Sequence, residues 1–298
     1  MKIKNLFALL LLLAISVAAS AQPGMKRTPD AKGETILLYP EGVPNAYEMP
    51  ENRFGDYSIP KVTIYKAENP NGICVIECPG GGYYMLSDGH EGHLMADWFV
   101  ERGYTFCVVS YRMPCGHTYA PLNDVEKAVQ IVRSKAAELG VDVNRIGVMG
   151  TSAGGHLAST LATHYTSEET KPAFQILFYP VISMDPALTH AGSREFLIGK
   201  DADQELTDLF SNQKQVKSTT CPAFIVLSAD DTVVPPANSL LYMQALVDAG
   251  VKGNQLMVFP TGGHGWGIID IPYKPQWTAG LELWLQQIFN KGERKPFF

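Results

Sequence analysis

The stretch Arg145-Ile146-Gly147-Val148-Met149-Gly150-Thr151-Ser152-Ala153-Gly154-Gly155-His156-Leu157-Ala158 decides the fold. Residues 145–149 read as a strand and residues 154–164 carry helical spacing, with Gly150-Thr151-Ser152-Ala153-Gly154 joining them in the pattern G-x-S-x-G. The pentapeptide alone is a weak signal, because a chain with this many glycines and serines forms one by chance. Its setting gives it weight. Flanking glycines let the backbone turn sharply between strand and helix, leaving the Ser152 hydroxyl exposed at the helix N-terminus, where a nucleophile belongs.

Outward from that turn, short apolar runs alternate with longer segments of helical period. The runs 35–39, 62–66, 73–78, 105–110, 145–149, 174–179, 223–228 and 255–259 predict strands, and 92–102, 123–139, 154–164, 238–249 and 276–289 predict helices with one buried face. Residues 73–78, 107–110 and 223–227 are nearly all apolar, as strands covered on both faces must be. The expected fold is therefore α/β, a mostly parallel eight-stranded sheet with helices on both faces, forming one domain over residues 34–298. Residues 183–220 break the alternation: they are polar, with a short helix expected near 203–211. They form an insertion, either a lid facing substrate or a structural excursion.

A serine hydroxyl needs a base to take its proton and an acid to orient that base. His264 lies in Thr261-Gly262-Gly263-His264-Gly265-Trp266-Gly267, directly after the last predicted strand, and is the natural base. Asp230 and Asp231 stand side by side in the loop after strand 223–228, and one of them is expected to bond His264. The oxyanion of an acyl-transfer intermediate needs backbone donors. Pro79-Gly80-Gly81-Gly82-Tyr83, after strand 73–78, offers a loop able to bring amides close. No G-K-[ST] or G-x-G-x-x-G follows to suggest phosphate binding. His90 and His93 lack the H-E-x-x-H spacing of a metal site, and they, His117, His156 and His164 are assigned to packing or capping. No metal and no cofactor is expected.

Composition narrows the partners. The 298 residues are 46% apolar and 18% charged, enough for a large core, with 24 Lys and Arg against 30 Asp and Glu. A net charge of −6 without a basic cluster excludes binding driven by phosphate neutralisation, so no nucleic-acid partner is expected. Lys2 and Lys4 precede ten apolar residues, 6–15, and the stretch closes on Ala19-Ser20-Ala21. That reads as a signal peptide over residues 1–21, followed by a mobile lead-in over 22–33. The mature protein is expected in the periplasm or the medium, without stable membrane insertion. Five cysteines leave at least one unpaired, and Cys74 and Cys78 stand roughly 13 Å apart along one strand, beyond a bridge. Buried thiols are the expected reading.

With these pieces in place, the chain resembles the α/β-hydrolase superfamily and, within it, exported bacterial esterases of the acetyl xylan esterase and hormone-sensitive-lipase-like families. The resemblance runs from about residue 35 to 289. It is carried by CPGGGYYMLSDGHEG (78–92), VVSYRMP (108–114), residues 122–159, SADDTVVPPANSLLYMQAL (228–246) and FPTGGHGWG (259–267). The order Ser152, Asp, His264 is that of these hydrolases. The resemblance implies Ser152 as nucleophile, His264 as base and Asp231 as acid, since Asp231 fits a D-x-x-V-P arrangement. Asp230 stays the alternative, because prolyl-peptidase relatives use the first Asp of such a pair. Gly81, Gly82 and Ala153 are the implied oxyanion donors, with Pro79 replacing the His of the lipase HGGG loop.

The implied function is a serine carboxylesterase that removes short acyl groups, acetyl foremost, from polysaccharide or oligosaccharide through an acyl-enzyme. A prolyl-type serine peptidase and a non-catalytic binding module are the rivals. The first lacks room for its large N-terminal gating domain, and the second is at odds with a complete triad. Tyr83, Tyr84 and Trp266, next to the oxyanion glycines and the base, are expected to wall a short acyl pocket or stack on a sugar ring.

Overall fold

The protein is described by a computed structural model that covers residues 28–269 and 271–289. The expected signal peptide lies outside the described residues. The lead-in expected to be mobile is, over residues 28–33, tied to the fold: the Asp30 and Ala31 amides donate to the Asp97 carboxylate at 3.1 and 2.8 Å.

Eight strands form one sheet among the described residues: β1 (Gly33–Leu37), β2 (Lys61–Tyr65), β3 (Gly72–Cys78), β4 (Thr105–Ser110), β5 (Val141–Thr151), β6 (Gln175–Phe178), β7 (Ala223–Ser228) and β8 (Gln255–Phe259). Their order is β1-β2-β4-β3-β5-β6-β7-β8. β1 and β2 are antiparallel to their neighbours, and all other pairs are parallel. Successive strand residues point to opposite faces, which builds two cores. Cys74, Ile76, Cys107, Val109, Ile146 and Val148 pack with helices Ala120–Ser134, Ser152–His164 and Ala237–Asp248. Val75, Phe106, Val108, Ile176 and Val226 pack on the other face with Phe99 of helix Ala96–Val100 and with Trp277, Leu281 and Trp284 of helix Lys274–Phe289. All five thiols are free, Cys115 exposed and the rest buried, with the Cys74 and Cys107 sulfurs 3.7 Å apart across β3 and β4.

Residues 183–220 are built into this frame. They carry the expected short helix as Gln204–Leu209, capped by the Asp203 carboxylate accepting the Leu206 amide at 2.8 Å, and a further helix, Ala191–Ile198. The buried Arg194 guanidinium donates to the carbonyls of Met184, Gly199, Lys200 and Ala202 and to the Thr207 hydroxyl. Asn238 clamps the entry to the segment, accepting the Ile182 and Ser183 amides at 3.0 Å. Arg112, after β4, makes a bidentate pair with buried Asp124 of helix Ala120–Ser134, Nη2 to Oδ1 at 2.7 Å. Among the described residues no helix is long and apolar enough to cross a membrane.

Candidate active site

Parallel strands end at one edge of the sheet, and ligands bind beyond their carboxyl ends. β5 delivers Ser152 there, β3 the glycine loop 80–82, β7 the two aspartates and β8 the loop of His264. Ser152 has φ 52°, a left-handed conformation that costs a non-glycine residue about 1–3 kcal/mol and persists only where its surroundings enforce it. Here the Val181 amide donates to the Ser152 carbonyl at 2.9 Å, and the helix Ser152–His164 presses on β3 at Gly154, where any Cβ would land inside the Cys78 carbonyl.

The Ser152 Oγ lies 2.8 Å from His264 Nε2, and His264 Nδ1 lies 2.7 Å from Asp231 Oδ2. The carboxylate accepts the Nδ1 proton, which leaves Nε2 free to take the serine proton. Asp231 Oδ1 accepts the Val233 and Val234 amides at 2.9 Å, and the side chain is 1% exposed, so it is fixed and shielded from water. Asp230 has separate work. Its carboxylate accepts the amides of Gly262 and Gly263 at 3.3 and 2.8 Å, holding the loop that carries His264. Of the adjacent pair, Asp231 is the residue brought to His264.

No acceptor among the described residues takes the amide hydrogens of Gly81, Gly82 or Ala153. They are the three amides expected to hold an oxyanion, and Ala153, in the first helical turn, also carries the positive end of the helix dipole. The loop they belong to is anchored below: the Gly80 amide donates to Thr151 Oγ1 at 2.8 Å, and that hydroxyl donates to buried Glu77 at 3.3 Å. Burial, then the charge of Glu91, holds the Glu77 carboxyl well above the usual carboxylate range.

Two of the three expected aromatics lie elsewhere. Tyr83 is 1% exposed, and its hydroxyl bonds His156 Nδ1 at 2.8 Å inside the core. Its φ of 61° turns the side chain beneath the loop. Trp266 is 3% exposed, packed against Phe178, Tyr179 and Trp277, with its indole N–H donating to the Ser228 hydroxyl at 3.3 Å. Both side chains are buried in the core rather than open to solvent. Tyr84 is half-buried, with Phe54 edge-on at 6.0 Å and Phe196 at 5.0 Å between ring centroids. The Phe54 and Phe196 positions drew no attention in the sequence, since neither adjoins a recognisable motif.

The segment 88–93 serves the base loop. His90 Nε2 donates to the Gly265 carbonyl at 3.0 Å, and the His90 carbonyl accepts the Ile268 amide at 2.9 Å. Tyr179 donates to Glu91 at 2.8 Å, accepts the Gly267 amide at 2.7 Å and sets its ring edge against His264 at 4.7 Å. Tyr179 and Glu91 were not found from sequence, because the signal is long-range pairing rather than spacing. His93 bonds Tyr65 at 2.8 Å, and His117 stacks on Tyr47 at 3.9 Å. No cluster of three or more His, Cys, Asp or Glu able to hold a metal occurs among the described residues.

A sheet of this order, with the Ser152, Asp231 and His264 loops together at its carboxyl edge, defines an α/β-hydrolase. Within that class the chain belongs to the BD-FAE family, which residues 62–246 match. It is 40% identical over 233 residues to an acetylxylan esterase of Xylanibacter ruminicola, a match covering 76% of this chain and 48% of the relative. It is 36% identical over 222 residues to endo-1,4-beta-xylanase B of Butyrivibrio fibrisolvens, covering 70% and 34%. Among solved structures it is similar to the acetyl ester-xyloside bifunctional hydrolase from Caldicellulosiruptor lactoaceticus, with TM-score 0.76 and 35% identity over 89% of this chain and 98% of that one. The chain thus spans about half the length of the first curated relative and about a third of the second.

Proposed function

We propose that the protein is a serine carboxylesterase that releases short acyl groups, acetyl foremost, from polysaccharide or oligosaccharide esters. The observation that carries the reading is the unbroken line Ser152–His264–Asp231, 2.8 and 2.7 Å per link, beside three amides with no acceptor among the described residues. Ser152 Oγ attacks the ester carbonyl as His264 Nε2 takes its proton, and the amides of Gly81, Gly82 and Ala153 hold the developing oxyanion. His264 returns the proton to the departing alcohol, and a water activated by the same nitrogen hydrolyses the acyl-enzyme. The sugar-ester substrate is supported by the kind of relatives the chain has, an acetylxylan esterase and an acetyl ester-xyloside hydrolase. In the same reading residues 1–21 export the enzyme to its substrate, and the mature chain starts at Gln22, which N-terminal sequencing checks.

Acetate release from acetylated xylan, together with kcat/KM for p-nitrophenyl acetate, butyrate and octanoate, tests the proposal. Acetate release and a rate that falls with chain length support it. A rate that rises toward octanoate, or no acetate release from any acetylated saccharide, overturns it.

A further inference from the structure

His190, which no sequence motif surrounds, stands at the cleft. His190 caps the helix Ala191–Ile198 of the insertion, and its Cε1 lies 3.6 Å from where a Cβ on Gly82 would stand, so the ring borders the oxyanion loop. Its electrostatic neighbours are His264 and Asp231. Gly192 leaves the ring its place, since a Cβ there would come within 3.1 Å of Cε1.

Its tautomer follows from its partners. The Ser193 amide, 3.2 Å from His190 Nδ1, can only donate, so Nδ1 bears no proton and accepts from the Ser193 hydroxyl as well, at 2.9 Å. The ring proton is therefore on Nε2. Burial first, then the neighbouring His264, lowers the His190 pKa and keeps the ring neutral. No acceptor among the described residues lies within hydrogen-bond distance of Nε2, and the nitrogen is not sealed from solvent. An oriented, neutral N–H donor thus stands open beside the oxyanion loop.

We infer that His190 reads the alcohol side of the ester, its Nε2–H donating to a hydroxyl oxygen next to the acylated one. The inference rests on the proposed esterase reading. An acetyl methyl offers a donor nothing to bond, and the carbonyl oxygen has the three amides, so the remaining acceptors are oxygens of the alcohol. A simple alcohol has none beyond the ester oxygen, whereas a polyol carries one on the adjacent carbon. The half-exposed Tyr84, two residues beyond Gly82, and Phe196, on the helix that His190 caps, pack together with centroids 5.0 Å apart. Aromatic faces beside a fixed donor suit a sugar ring, which is apolar on its faces and polar at its edge.

The test is His190→Asn, which keeps a capping acceptor for the Ser193 amide but cannot reach where Nε2 stands. The readout is the ratio of kcat/KM for 2-hydroxyethyl acetate to that for ethyl acetate, two esters that differ by one neighbouring hydroxyl. The ratio is expected to fall about tenfold in the variant, the worth of one hydrogen bond. His190→Gln, whose side-chain amide extends further, is expected to recover part of it. An unchanged ratio in a folded His190→Asn protein overturns the inference, as does an equal loss on both esters, which assigns His190 to support of the triad. If the wild type cleaves both small esters but frees no acetate from acetylated saccharides, the saccharide reading fails while the ratio still reports on His190.

Discussion

Asp230 and Asp231 are the same side chain one residue apart, and the structure gives them unequal work. Asp231→Asn gives His264 Nδ1 an amide whose NH2 can donate where the carboxylate only accepts, which favours the wrong imidazole tautomer, and is expected to lower kcat about 10⁴-fold without altering the fold. Asp230→Asn acts only through the Gly262 and Gly263 amides, and a loss of about tenfold or less is expected. Steady-state kinetics of the two variants separates the roles, and the reverse order would move the acid to Asp230. Ser152→Ala is expected to cost 10³-fold or more, and a fluorophosphonate should label the wild type at Ser152 but not the variant. At this scale the sequence told which residues stand at loop tips, because motif and strand order together fix them. It did not tell where side chains point: Tyr83 adjoins the oxyanion glycines, yet its positive φ carries it into the core. His190 has no motif around it, and its place depends on how an insertion folds back.

Among the elements, all eight strands were legible: the central parallel ones are continuously apolar because both faces are buried, and the edge strands β1 and β8 show as short runs bounded by glycine and proline. The helix Ala191–Ile198 was not. It is eight residues long with a glycine at its second position, and it is ordered by the Arg194 guanidinium gathering four carbonyls, a pairing with no sequence period. Arg194→Met keeps much of the buried stem but strips those carbonyls of their donor. It is expected to expose residues 183–220 to limited proteolysis and to speed their amide exchange, while the urea transition of the sheet moves little. A variant whose insertion stays as protected as the wild type's would show that Arg194 is not what orders it.

Taken whole, the molecule carries buried titrations of opposite sign, those of His156 and Glu77 among them. Burial lowers His156, bonded to Tyr83 and the Phe210 carbonyl, to about 4. Between about pH 6.5 and 4 the unfolded chain binds a proton there that the folded protein refuses, so stability falls as the pH falls, by about 3 kcal/mol over the window. Glu77 runs the other way: its raised pKa makes stability fall as the pH climbs above 4.5. Urea titrations across pH are expected to show His156→Gln flattening the acid-side loss and Glu77→Gln gaining stability at pH 7. An unchanged slope in either variant would refute that assignment. The site itself imposes a schedule on synthesis. Ser152 and His264 are 112 residues apart, and the base follows β8, the last strand of the sheet. A ribosome therefore releases Ser152 and the glycine loop 80–82 well before Asp231 and His264, and long-range parallel pairing is slow to form. Under the proposed mechanism the nascent chain stays chemically silent until its final strand docks, and the first turnover of a refolding sample is expected to report completion of the sheet rather than its beginning.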